Sequence, residues 1–342
     1  MAITKIEVEN LTVFEKMEMN VNANVNVLIG ENGTGKTHLL KFINITLQPT
    51  YSTEDSPTGN QIFGIDKLSS LLRKSDDKNA RFDVFYDKNK RTTYHLNEAT
   101  NPSRYVSIHR VKESHSHNFT TEQGVVFDRV VLIPAKDMLT HSKGLPEMKE
   151  MHRESMPFDR NYIDIIKKAR RWNVAEIPKI AQDIIPQLED IMDGKVIIEN
   201  ERFLIAKRNG TKIPFDIEAE GIKKFGLIWQ LLTNQSITED TILLWDEPEA
   251  NINPKLIPVL AEIILELGRN GVQIFLATHD YFLPEYLEVL SKDKDSIAFH
   301  SLYKTDKGVQ CATSNKFSLL AENAIRAEKV NLYEKATEKV LG

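Results

Sequence analysis

Three short stretches carry the residues whose types and spacing could do chemistry. The first is GENGTGKT, residues 30–37, where Gly30, Gly35, Lys36 and Thr37 fill the fixed positions of G-x-x-x-x-G-K-[ST]. Such a loop turns backbone N–H groups inward around phosphate oxygens, and the helix that follows adds its N-terminal dipole. Asn32, Gly33, Thr34 and Gly35 would form the cradle. Lys36 would reach the β and γ phosphates, and Thr37 would offer its hydroxyl to Mg²⁺. The second stretch is TILLWDEPEANINP, an apolar run closed by Asp246 and Glu247. Asp246 is placed to hold the metal of a phosphate loop, directly or through water. Glu247 is suited to orient or deprotonate an attacking water. The third is VQIFLATHD, whose His279 can donate a hydrogen bond to a terminal phosphate.

Each stretch alone has a plainer reading. A glycine-rich turn between a strand and a helix need bind nothing, and adjacent acids after a strand are common at helix N-caps. A lone histidine at a strand end is more often structural. What favours chemistry is their joint occurrence in this order.

These side chains need elements to position them. NVNVLI before the loop reads as a strand, and HLLKFINITL after it has apolar residues at helical spacing. Residues 1–47 are therefore two or three strands, the loop and its helix. The polar stretch QPTYSTEDSPTGN marks a surface loop. RFDVFY, RTTYHL, RYVSIH and RVVLIP predict an antiparallel sheet in an N-terminal lobe. KESHSHNFTTEQG reads as a mobile loop, and its His115 and His117 lack the partners a metal site needs. Residues 160–192 look helical, and KVIIENERFLIAKRNGTKIPF predicts a hairpin turning at RNGT. A helix over EGIKKFGLIWQLL precedes the strand TILLW, a helix from about Pro254, and the strand VQIFLAT. Apolar strands alternating with helices predict a covered parallel sheet here. The expected organisation is one α/β domain, with a mixed or antiparallel β lobe over residues 1–135. A helical region and hairpin occupy 136–215, and a parallel-sheet core with flanking helices takes in 216–342.

Composition sets the outer limits. With 41% hydrophobic and 27% charged residues, the chain reads as an ordinary soluble globular protein. No apolar run reaches membrane-spanning length and the N-terminus alternates like a strand, which predicts a cytoplasmic address without a membrane role. The single cysteine, Cys311, excludes a disulfide framework and a cysteine-based zinc cluster. A net charge of −5 weighs against general nucleic-acid binding, and KNKR, RYVSIHRVK and KKARR read as solvated faces.

Together the motifs resemble the ATPase head of the ABC superfamily, in the soluble branch that contains SMC, RecF and OLD-type proteins. Residues 30–37 match Walker A and residues 242–246 match Walker B. Glu247 matches the catalytic glutamate, residues 250–253 the D-loop and His279 the switch histidine. The likeness extends over nearly the whole chain, IPAKDML and PFDRNYIDII included, with Lys136 and Asp137 falling in the Q-loop region. It is nearest to small AAA-labelled ATPases of bacterial phage-defence operons of the PARIS and Septu kind. The resemblance implies ATP and Mg²⁺ as ligands, with ATP sandwiched between two heads. It places Gly221, in EAEGIKK, against the nucleotide of the second copy. Ala219 and Glu220 depart from the family's Ser and Gly, removing a hydroxyl and adding a carboxylate that Lys223 or Lys224 could offset.

The expected function is an ATPase that dimerises, or forms a higher homo-oligomer, around ATP. It would serve as sensor or scaffold for a separate effector such as a nuclease. Only about sixty residues follow His279, too few for a further typical catalytic domain. The tail LLAENAIRAEKVNLYEKATEKVL is a helix that either packs on this chain or meets a partner. The alternative is a RecF-like repair ATPase that binds DNA, which the acidic balance disfavours. A transporter subunit and a nucleotide-dependent binder without turnover are the remaining readings. The first is opposed by the long β-rich insertion, the second by Glu247.

Overall fold

The computed structural model describes residues 2–21, 24–47, 62–65, 68–73, 79–86, 90–97, 106–112, 129–137, 139–145 and 159–341. The expected loops at 48–60 and 112–124, His115 and His117 included, lie outside them, except for Lys112, which ends a strand. The strands are β1 (Ile3–Leu11), β2 (Phe14–Asn20), β3 (Val25–Gly30), β4 (Asn79–Tyr86), β5 (Lys90–Asn97), β6 (Val106–Lys112) and β7 (Val130–Ile133). Then follow β8 (Gly194–Glu199), β9 (Arg202–Lys207), β10 (Lys212–Pro214), β11 (Ile242–Asp246), β12 (Gln273–Thr278), β13 (Ile297–Thr305) and β14 (Gly308–Ser314). The helices are α1 (Lys36–Leu47), α2 (Arg160–Ala169), α3 (Ile184–Met192), α4 (Glu220–Thr233), α5 (Ile257–Arg269), α6 (Phe282–Leu290) and α7 (Ala324–Leu341).

Eleven strands form one sheet in the order β6-β5-β4-β1-β2-β14-β13-β3-β12-β11-β7. The run β13-β3-β12-β11-β7 is parallel, and the other neighbours are antiparallel. The mixed α/β architecture therefore matches expectation, with one correction. RVVLIP is not part of the antiparallel wing: β7 pairs parallel with β11, Ile242 to Val130 through Trp245 to Ile133. Four consecutive buried apolar residues suit a strand covered on both faces, which is what a parallel sheet demands.

The pleat explains the two cores. On β3, Val25, Val27 and Ile29 point to the face covered by α2 to α6, whereas Leu28 points to the face covered by α1. Every residue of β3, β11 and β12 is buried. Burial of each large apolar side chain there stabilises the fold by roughly 1.5–3 kcal/mol. The strand ends are correspondingly rigid platforms for whatever projects from them.

The predicted hairpin is a three-stranded sheet, β10-β9-β8. Its second turn is the expected RNGT, closed by Lys207 N–H donating to Thr211 O at 2.8 Å. The first turn lies at Asn200 and Glu201, both with φ near +50 to +64°. Both are positive, as a two-residue turn matched to strand twist requires. The basic run KKARR is the C-terminal end of α2, where Lys167 and Lys168 face the helix dipole and Arg170 Nη2 donates to Ser142 O. In α7, Lys329 sits 3.5 Å over the Tyr281 ring and pairs with Glu285, but residues 332–340 are exposed on all sides. No described helix is long and apolar enough to cross a membrane.

Candidate active site

Parallel register brings the three chemical stretches into one row. Thr278 pairs with Ile29, Ala277 with both Leu28 and Asp246, and Leu302 with Gly30. The ends of β3, β11 and β12 thus open side by side, and the loops leaving them share one edge of the sheet. The phosphate-loop candidate leaves β3 and enters α1 at Lys36. Its tightness depends on Gly35, which has φ +89°, and where a Cβ would stand 2.6 Å from the Phe14 ring. Asn32 and Gly33 are exposed, while Thr34 is buried and its hydroxyl donates to Glu31 O at 2.9 Å.

Lys36 is buried within this loop. Its ammonium donates to Gly30 O at 2.7 Å and Glu31 O at 2.9 Å. Burial lowers its pKa to about 8, against the pull of Asp246 and Glu247. The Thr37 hydroxyl donates to the Asp246 carboxylate, 3.1 Å from Oδ1 and 3.0 Å from Oδ2. Burial raises Asp246 to about 6, partly opposed by that hydrogen bond and reinforced by Glu247. Glu247 N–H donates to Ala277 O at 2.8 Å, and its carboxylate is 3.5 Å from His279 Nε2. Burial, followed by the nearby Lys36 charge, lowers the His279 pKa, so the ring is neutral at pH 7.

Thr37 and Asp246 suit a hard divalent cation, offering one hydroxyl and one carboxylate. Among the described residues no three His, Cys, Asp or Glu side chains converge as a metal cage. An ion held by such a pair takes its remaining ligands from phosphate and water, as Mg²⁺ does. Below about pH 6 a metal would then have to displace the Asp246 proton. Affinity for Mg²⁺–ATP is expected to fall about tenfold per pH unit well below pH 6. Calorimetric titration from pH 5 to 8 tests this, the relevant slope being the part that disappears in Asp246→Asn. Glu249 is also raised by burial, to about 7, opposed by its bond from Thr278. In the ligand-free chain both raised carboxylates favour the protonated form. Their contribution to stability is full below the ordinary carboxylate range and is lost as pH rises through about 6 to 7.

Gly221 is buried against its own chain, where a Cβ would lie 2.9 Å from Asn251 O and 3.1 Å from Ile252 Cα. Its lack of a side chain lets α4 pack onto the 251–252 backbone, so an arginine there would disrupt this contact as well as any contact with a second copy. The exposed residues at this helix start are Ala219 and Glu220. Both lysines are buried: Lys223 pairs with Glu220 at 2.7 Å, whereas Lys224 donates to Glu247 O at 2.6 Å. Asp137 accepts from Leu139 N–H and the Thr140 hydroxyl and lies 3.9 Å from Lys223, while Lys136 is exposed.

Glu249 went unassigned in the sequence, and Lys224 was named there only as a counter-charge to Glu220, a part that Lys223 takes. The signal was present: a second lysine in a helix otherwise buried on nearly all sides must find an acceptor. Lys41 and Asp159 also join the site's rim, pairing at 2.6 Å between α1 and the N-cap of α2.

Residues 25–283 match the family model described as "AAA domain, putative AbiEii toxin, Type IV TA system". Among solved structures the chain is similar to the Smc head domain of Pyrococcus furiosus, which has an extended coiled coil and is bound to the C-terminal domain of ScpA. Identity is 12%, the TM-score is 0.61 and both chains are covered completely. It is also similar to an SmcHead bound to the C-winged helix domain of ScpA, with 13% identity, a TM-score of 0.58, and 95% and 100% of the two chains covered. The SMC head domain of Thermotoga maritima aligns at 11% identity and a TM-score of 0.50, over 92% of this chain and 99% of that one. At these identities the likeness is one of fold. No curated protein matches the chain.

Proposed function

We propose, from the premise that the chain belongs to the AAA-domain family matched over residues 25–283, that it hydrolyses ATP between two copies of itself. The observation that carries this reading is the Thr37–Asp246 bond set beside the Glu247–His279 contact at one sheet edge. A metal-holding pair and a base-bearing turn converge on the mouth of a phosphate loop.

In this reading the backbone of residues 32–37 receives the ATP phosphates, and Lys36 exchanges the carbonyls of Gly30 and Glu31 for phosphate oxygens. Thr37 and Asp246 hold Mg²⁺, whose charge, when bound, stabilises the negative charge on the phosphates. Glu247 accepts a proton from the attacking water as the bond to the terminal phosphate breaks. Neutral His279 donates one ring N–H to the terminal phosphate, and its position beside Glu247 keeps the two groups on the same side of the reacting centre.

The second copy is supported by the exposed Ala219–Glu220 backbone at the start of α4 and by the exposed Asn251 beside it. Gly221 sets how closely that helix start lies on residues 251–252, and thereby how it meets the other nucleotide. The solved SMC heads bind ScpA in two of the structures above, and the family's description names a toxin–antitoxin system. These support a separate protein partner, which we read as an effector such as a nuclease. The phage-defence setting itself rests on the sequence resemblance.

Sedimentation velocity tests the sandwich. The wild-type chain is expected to sediment as a dimer or larger with Mg²⁺–ATP and as a smaller species with ADP. An identical species with both nucleotides would contradict it.

A further inference from the structure

Glu247 occupies an unusual backbone conformation. Its φ is +47°, and it precedes Pro248, whose ring disfavours any but extended geometry in the residue before it. Strain of this kind persists only where surrounding groups impose it. The groups that impose it here are visible. Glu247 N–H is fixed to Ala277 O, and Glu247 O accepts both Ala250 N–H at 3.1 Å and the Lys224 ammonium at 2.6 Å. Lys224 also lies 3.4 Å from Pro248 O. Lys224 is a buried cation on α4, and its ionised form is costly unless it is hydrogen-bonded and compensated. Burial lowers its pKa, and Glu249 is the foremost of the carboxylates opposing that shift.

Glu249 holds the same turn from the other side. Its Oε1 accepts the Thr278 hydroxyl at 2.6 Å, and that hydroxyl in turn accepts Asp280 N–H at 2.9 Å. Thr278 and Asp280 flank His279. Its other oxygen, Oε2, is buried with no hydrogen-bond partner.

We propose that Lys224 and Glu249 are positioning residues, a clamp that holds Glu247 in its left-handed conformation and ties it to α4 on one side and to the His279 strand end on the other. The proposal rests on the reading of Glu247 as the catalytic base.

The test uses Lys224→Met, which keeps the length and apolar stem of the side chain but removes the donor. Amide hydrogen exchange is measured at Ala250 and Ile252, whose N–H groups bond to Glu247 O and Glu249 O. Exchange there is expected to rise about tenfold or more over that at β3 amides. In the same variant kcat should fall about 10–100-fold, as a displaced base would cause, while the dissociation constant of Mg²⁺–ATP stays within about twofold. Glu249→Gln retains an acceptor for Thr278 and should lose less than Glu249→Ala. Unchanged exchange at Ala250 and Ile252 overturns the clamp whatever the activity. A parallel loss of nucleotide affinity overturns it too, because Lys224 would then serve binding. Wild-type protein without turnover would refute the ATPase reading, yet the exchange experiment would still decide the clamp. If Lys224→Met does not fold, Thr278→Val examines the clamp from its other side by the same exchange, with faster exchange supporting it and no change overturning it.

Discussion

Glu247→Gln is expected to bind Mg²⁺–ATP with wild-type affinity and to hydrolyse it about 10²–10⁴-fold more slowly, the usual loss when a general base is removed. The amide keeps the shape of the side chain and its place 3.5 Å from His279, so the turn is undisturbed. Asp246, Thr37 and Lys36 retain the metal and the phosphates. Because hydrolysis would reopen the sandwich, the variant should accumulate as an ATP-bound dimer or higher assembly. Light scattering with Mg²⁺–ATP against ADP would reveal it. Undiminished hydrolysis would remove Glu247 from the chemistry, and lost ATP binding would reassign it to structure or metal holding.

Lys36→Ala is expected to lose ATP affinity by about 10²-fold or more, because it removes the one cation buried among the loop carbonyls that phosphates would displace. The fold should survive. With its pKa lowered to about 8, Lys36 contributes stability above the ordinary lysine range and loses it as pH falls through about 8. At pH 7 the ligand-free protein therefore gains nothing from this charge. Calorimetry gives the affinity and thermal unfolding gives the fold. Wild-type affinity in a folded variant would sink the phosphate-loop assignment.

The parts of the site legible in the sequence are those coded locally. A strand, a glycine-rich turn and a helix follow one another at residues 25–47, so the loop's geometry needs only its neighbours. Asp246 and His279 were readable because each closes an apolar strand, and parallel strands in adjacent register open at one edge. Pairing itself is nonlocal, which is why β7 looked like one more antiparallel strand until its partner β11 was known. The turn at Asn200–Glu201 was hidden for another reason. It has positive φ at two residues without the glycine that usually announces such a turn. Gly221 reads in the sequence as lying against the nucleotide of a second copy, but the sequence does not show that it also packs on residues 251–252 of its own chain. The contacts of Lys224 and Glu249 escaped because each joins a distant segment, across 23 and 29 residues of sequence.

Phosphate release from Mg²⁺–ATP by the wild-type protein, followed over a range of protein concentrations, tests the central claim most directly. Hydrolysis between two copies predicts a specific activity that rises with concentration and then levels off as the dimer fills, with no release from Lys36→Ala. Specific activity independent of concentration down to the monomer would contradict the shared site, and no release at any concentration would contradict the ATPase.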